Sequence, residues 1–323
     1  MKKIASFLLA IYIIIPISVF AYSKYLIPSG ESIGIELKSN NPIIVGSYNI
    51  GTYNALIDTD LKIGDKIIRI NDRDTESSPQ VHEVIKNTSQ KRVTVTYLRN
   101  NKEYKTDINL YLDGNEYKTG LYIKDSIRGV ATLTYIDADN KKFGALGHEI
   151  IERSTKNKFD MTSGSIYESN ITNIIKSEDG HPGEKNALSN PNNKYGTVIE
   201  NTRSGIFGDY TSAIPNKKMY KVATSEEINL GDAKMLTVIN DNQVEDFDIN
   251  ILKINDLSNT KNILFEVTDS KLLEETGGIV QGMSGSPIIQ GENIIGAVNY
   301  VLVDKTNRGY GIFITNMLEE AEN

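Results

Sequence analysis

The sequence predicts a mainly β protein: a small mixed unit followed by a larger domain of barrel or sandwich type. Short runs rich in isoleucine and valine recur along the chain, and turn residues separate them. Helical periodicity is confined to a stretch near residue 80 and a short one at the C-terminus. The 323 residues suffice for two modest domains and a leader, and 39% hydrophobic residues permit a sizeable core. A formal net charge of -7 argues against a nucleic-acid partner, because phosphate backbones call for a basic face. Cysteine is absent, which excludes disulfides, thiolate catalysis and cysteine-based zinc sites.

Residues 1–24 read as an export signal or membrane anchor. Lys2 and Lys3 precede an apolar run from Ile4 to Tyr22, near the length that spans a bilayer. Val19-Phe20-Ala21 suits cleavage after Ala21, so a cleaved signal and a retained anchor both stay open. The positive end places the rest of the chain across the membrane.

Residues 25–112 form the small unit. Ser32 to Lys38 and Pro42 to Tyr48 are strand candidates; Leu61 to Asp65 is a turn feeding the strand Lys66 to Ile70. Ser78-Pro79 is a helix start with Ser78 as cap, and Val81, Val84 and Ile85 give that helix one apolar face. Arg92 to Leu98 and Glu103 to Leu110 alternate as strands around the turn Arg99 to Lys102. This order, with Ile63-Gly64-Asp65-Lys66-Ile67-Ile68-Arg69-Ile70-Asn71, resembles a PDZ domain. The resemblance implies a groove that adds a peptide as an extra strand, with Ser32, Ile33, Gly34 and Ile35 as the carboxylate-binding loop facing the helix around His82.

From residue 113 to 323 short strands alternate with turns: Gly129 to Ile136, Lys142 to Leu146, Gly196 to Glu200, Ile249 to Ile254, Ile263 to Val267, Ile288-Ile289, Ile294 to Leu302 and Tyr310 to Ile314. Asn316 to Ala321 is a short helix, and the polar stretch Ser177 to Lys194 reads as a long loop.

The sharpest chemical feature is Gly282-Met283-Ser284-Gly285-Ser286-Pro287. A serine between glycines sits on a tight turn with its hydroxyl exposed, and nearby N–H groups can hold the anion that forms when it attacks a carbonyl. The pattern resembles the Gly-x-Ser-Gly-x-Pro segment of chymotrypsin-like peptidases, which implies Gly282 and Ser284 N–H as the oxyanion hole. Such a hydroxyl needs a base, and only His82, His148 and His181 are available. His148, in Phe143-Gly144-Ala145-Leu146-Gly147-His148, ends an apolar strand between small residues and suits a cleft; His181 lies in a polar stretch. For an acid that orients the imidazole, Asp269 and Asp209 are not separated by spacing. A metal or organic cofactor is not expected.

Four segments together resemble the stage IV sporulation protein B peptidases of spore-forming bacteria: Thr119-Gly120-Leu121-Tyr122-Ile123, Gly144 to His148, Pro182-Gly183-Glu184-Lys185, and Thr276 to Pro287. The resemblance implies a PDZ domain followed by a double-β-barrel serine peptidase with the triad His148, Asp269 and Ser284. It also implies export to the space between forespore and mother cell, self-cleavage near the N-terminus, and cleavage of a partner of an intramembrane protease that processes a late sigma factor precursor. The rival reading is an exported adaptor without activity. Asn299-Tyr300 departs from the Thr-His expected after Gly-Ala-Val, on a strand suited to pairing with substrate, so the departure is expected to touch specificity. The leader is also shorter than in many members.

Overall fold

The computed structural model describes residues 23–256, 258 and 260–322. The predicted leader thus lies almost wholly outside the described residues. Among them, no helix is long and apolar enough to cross a membrane.

Two closed antiparallel barrels carry the fold, in agreement with the expected double-barrel class. The first closes through the strands Ser32–Ser47, Leu121–Asp137, Lys142–Ala145, Gly205–Tyr210, Glu184–Thr202 and Ser163–Ile175, the last returning to Ser32–Ser47. Alternate side chains of these strands point inward, so Ile33, Ile35, Leu37, Leu133, Phe143 and Ile166 fill one core. The second barrel runs Gly231–Asn240, Gln243–Ile254, Ile263–Val267, Lys305–Phe313, Asn293–Leu302 and Pro287–Gln290, and closes back on Gly231–Asn240. Met235, Phe247, Ile249, Phe265 and Met283 are buried at its centre. The strand Tyr25–Pro28 joins the two, pairing with Leu121–Asp137 on one side and Tyr220–Val222 on the other. The C-terminal helix Ile314–Ala321 packs Ile314, Met317 and Leu318 against Leu26, Tyr135 and Phe207, sealing the seam between barrels.

The small unit has its own core of Ile44, Ile67, Ile70, Val81, Ile85 and Val95. Its helix Ser78–Lys86 begins as expected on a serine–proline signal, but the cap is Ser77, whose hydroxyl accepts the Gln80 N–H. The hairpin Arg92–Arg99/Lys102–Asn109 turns through Asn100 and Asn101, both at positive φ (51° and 60°), which asparagine tolerates.

Three expectations need correction. The segment Ser32–Ile35, expected in a peptide groove, is paired on both edges, with Ala131–Thr132 and neighbours on one side and Ile166–Glu168 on the other. A strand with both edges bonded has no N–H or C=O to offer a peptide, and its side chains lie in the first barrel's core. Ile33, Gly34 and Ile35 are therefore barrel residues, and His82 stands exposed on a helix that leans instead on Asp125 through the Ser78 N–H (2.6 Å). Second, the boundary at 112/113 is crossed: Ser32–Ser47 and Leu121–Asp137 each run through both units, pairing at Ile43 to Ser47 with Leu121 to Lys124 in the small unit and at Ser32 to Lys38 with Ser126 to Thr132 in the barrel. Third, the loop expected over Ser177 to Lys194 is a tight turn around Glu178–His181 followed by the strand Glu184–Thr202, whose exposed polar side chains carry no alternation to read.

Candidate active site

The nucleophile turn is built from main-chain anchors. The Gln281 carbonyl accepts the Lys185 N–H (2.9 Å), the Gly282 carbonyl accepts the Thr132 hydroxyl (2.8 Å), and the Met283 carbonyl accepts the Ser286 N–H (2.9 Å). In a trans peptide the N–H points opposite to the C=O. Tying back the Gln281 and Met283 carbonyls thus turns the Gly282 and Ser284 N–H groups the other way, and among the described residues neither finds a protein acceptor. Two unsatisfied N–H groups flanking a serine are what a developing oxyanion requires.

The strand Leu121–Asp137 brings the histidine segment to this turn. Thr132 donates its N–H to the Ser284 carbonyl (3.0 Å) and accepts the Leu146 N–H on its own carbonyl (3.2 Å); Thr134 Oγ1 donates to the Gly285 carbonyl (2.7 Å). His148 follows two residues after Leu146. Its ring stacks on Tyr300, centroids 5.5 Å apart and 18° from parallel, while Ser284 Oγ donates to the carbonyl of the adjacent Asn299 at 3.2 Å. Ser284 and His148 thus lean on neighbouring residues of one strand, Asn293–Leu302. The serine hydroxyl points at main chain here, toward the strand on whose next residue the imidazole is stacked.

His148 Nδ1 lies 2.9 Å from the Glu149 carbonyl. A carbonyl only accepts, so Nδ1 carries the proton and Nε2 keeps the lone pair a general base needs. Burial lowers the His148 pKa, partly offset by this hydrogen bond and by the Glu149 carboxylate. The ring is accordingly neutral at pH 7. Because catalysis needs the neutral ring, kcat/KM rises with pH through an acid limb that lies below the ordinary imidazole range. Glu149→Gln removes the charge that favours the imidazolium and moves that limb to lower pH; a pH–rate profile of both proteins checks the shift.

The remaining sequence-predicted residues lie elsewhere. Asp269 does not reach His148: it caps the helix Ser270–Thr276, accepting the Leu272 N–H on Oδ1 (2.9 Å) and the Asp248 N–H on Oδ2 (3.4 Å). Asp209 is ion-paired to Lys142 (2.6 Å), opposite the far end of the strand that leads to His148. His181 is exposed in its turn. The tautomer-fixing role expected of an aspartate is performed in this arrangement by the Glu149 carbonyl. Asp269→Asn keeps a good cap and leaves kcat within a few-fold, whereas Asp269→Ala costs about 1 kcal/mol of stability. A loss of about 10⁴-fold in turnover with Asn, read beside an unchanged melting midpoint, would restore Asp269 to the catalytic set.

Sequence reasoning missed Thr132, Thr134, Thr237 and Lys185. The signal was the Thr-x-Thr alternation in Ala131-Thr132-Leu133-Thr134-Tyr135: Ala131 and Leu133 face the first core, so the buried threonines on the opposite face need hydroxyl partners there. The Asn299-Tyr300 departure was expected to touch specificity. Tyr300 covers the imidazole itself, so it touches the base as well.

Two six-stranded barrels with a serine turn and a histidine at their junction define a chymotrypsin-like serine peptidase. Residues 115–318 match the model of the SpoIVB peptidase S55 family and residues 32–110 that of a PDZ domain. The chain belongs to the SpoIVB peptidase S55 family. Among solved structures it is similar to the Rv3671c protease in its inactive form, at 12% identity over 60% of this chain and 85% of that one, with a TM-score of 0.34. A serine-to-alanine mutant of Rv3671c from M. tuberculosis H37Rv, also an inactive form, gives 11%, 60%, 82% and 0.33. No curated protein matches the chain.

Proposed function

We propose that this serine peptidase is a signalling endopeptidase of spore formation, exported and held at the membrane between forespore and mother cell. It cleaves itself near the N-terminus and then a regulatory partner of an intramembrane protease, releasing the processing of a late sigma factor precursor. Membership of the peptidase family supports the biological setting. The observation that carries the chemistry is the turn at Ser284, with two outward N–H groups beside a neutral imidazole.

In this reading Ser284 Oγ attacks the scissile carbonyl and passes its proton to His148 Nε2. The Gly282 and Ser284 N–H groups hold the resulting oxyanion, and His148 returns the proton to the leaving amine. Water then releases the acyl group by the same route. A cleft of about 570 Å³ lies beside His148, with Lys124, Arg128 and Arg153 among its walls. The strand Leu121–Asp137 runs from that unit to Thr132 at the nucleophile turn. A ligand on the PDZ unit therefore has a rigid element through which to act on the turn.

The test is N-terminal mapping of fragments from the full chain in membranes, wild type beside Ser284→Ala. One or two cuts confined to the wild type support a self-processing signalling enzyme. The same fragments from both proteins, or general degradation of unfolded casein by the wild type, would defeat it.

A further inference from the structure

Outside the serine–histidine pair, the least expected buried group is Lys185. Its side chain is nearly inaccessible, and its Nζ donates to Thr237 Oγ1 at 2.8 Å. Among the described residues no carboxylate stands within ion-pair distance, and burial pushes its pKa down to about 7. An unpaired buried ammonium is costly, and an apolar side chain of the same length would stabilise the fold better.

What surrounds the ammonium explains its presence. Thr237 Oγ1 lies 3.0 Å from Ser286 Oγ, Ser286 Oγ lies 3.4 Å from Thr132 Oγ1, and the Thr132 hydroxyl donates to the Gly282 carbonyl at 2.8 Å. All three hydroxyls are fully buried. The Gly282 carbonyl only accepts, so the Thr132 proton goes to it, Thr132 accepts from Ser286 and Ser286 from Thr237, which leaves Thr237 to accept from Lys185 and gives the chain a single polarity. The lysine stem also lies under the turn, where a Cβ on Gly282 would sit 3.1 Å from Lys185 Cβ, and its main-chain N–H holds the Gln281 carbonyl.

We propose that Lys185 is a positioning residue for the oxyanion hole: its ammonium heads a buried hydroxyl chain, Thr237–Ser286–Thr132, that clamps the Gly282 carbonyl and fixes the turn with its N–H groups toward the substrate. The chain presents its positive end beneath the turn, so it favours the anion of the transition state over the neutral ground state. This rests on Ser284 being the nucleophile.

The test compares the wild-type full chain with Lys185→Met and Thr237→Val. The readouts are hydrolysis of p-nitrophenyl acetate, affinity for an aryl boronic acid, labelling by a fluorophosphonate, and the unfolding midpoint. The expected result for Lys185→Met is a kcat lowered about 10–100-fold, KM within about twofold, and boronate affinity weakened in parallel with kcat/KM. Its midpoint is unchanged or higher, which a merely structural lysine would not allow. Thr237→Val, which severs the chain with the lysine in place, lowers kcat in the same direction and serves if the first variant does not fold. Either folded variant with wild-type kcat and boronate affinity overturns the proposal while leaving Ser284 as nucleophile. Failure of the wild type to label at Ser284 removes both.

Discussion

Ser284→Ala lowers peptide hydrolysis by about 10⁶-fold while leaving the fold intact. The magnitude follows from what the hydroxyl does: without it no acyl-enzyme forms, and only the oxyanion donors and substrate binding act on a water attack. Intact folding follows from what the hydroxyl touches. Among the described residues its one hydrogen bond is the 3.2 Å contact to the Asn299 carbonyl, and the turn is held by the carbonyls of Gln281, Gly282 and Met283, none of which involves the side chain. Loss of one such bond costs on the order of 1 kcal/mol. For a protein of this size that moves the unfolding midpoint by about 2–4 °C. Turnover of a peptide spanning a mapped cleavage site, measured beside a melting curve, checks both halves. Residual activity within 100-fold of wild type would move the nucleophile elsewhere.

Much of this site is legible in the sequence. Ser284 between two glycines and His148 at a strand end both stand out in the sequence, and the fold places them beside consecutive residues of one strand. The short strand expected at Ile263 to Val267 has those same bounds in the fold. What sequence could not supply was partnership. Ser32 to Lys38 alternates as a strand should, but alternation says which face is buried and not which strands lie alongside. The expectation of a peptide groove fits that alternation, and only the two strands paired with the segment make it the wall of a barrel. Asp269 illustrates the same gap at one residue: an aspartate ahead of a short helix serves as a cap or as a catalytic acid, and only its bond to the Leu272 N–H decides between them. Lys185 has no role legible in the sequence, because the hydroxyls that give it meaning lie 52 and 101 positions away, at Thr237 and Ser286.

Gly285→Ala inactivates the enzyme by destabilising the turn on which Ser284 stands. Gly285 has φ +93°, outside what L side chains adopt at low cost, and a Cβ there would overlap the Thr132 carbonyl oxygen and sit 2.5 Å from the Leu146 nitrogen. Both neighbours are main-chain atoms that hold the histidine segment to the nucleophile turn, and neither can swing away as a side chain would. Relief means displacing the turn, the Thr132 strand, or the segment leading to His148, and each displacement separates nucleophile from base. Backbone strain of about 1–3 kcal/mol adds to the clash, so a loss of about 3 kcal/mol or more is expected, from a total stability of roughly 5–15 kcal/mol. A misplacement of about 1 Å already costs about 100-fold in rate. Gly291→Ala separates the two contributions: Gly291 also has positive φ (+59°), but a Cβ there meets nothing within 4 Å. That variant loses about 1–2 kcal/mol from backbone strain alone and keeps wild-type turnover. Denaturant midpoints and fluorophosphonate labelling of both variants read the comparison. Equal losses from the two would mean that the close approach of Thr132 and Leu146 to the serine turn is not what makes glycine necessary at 285.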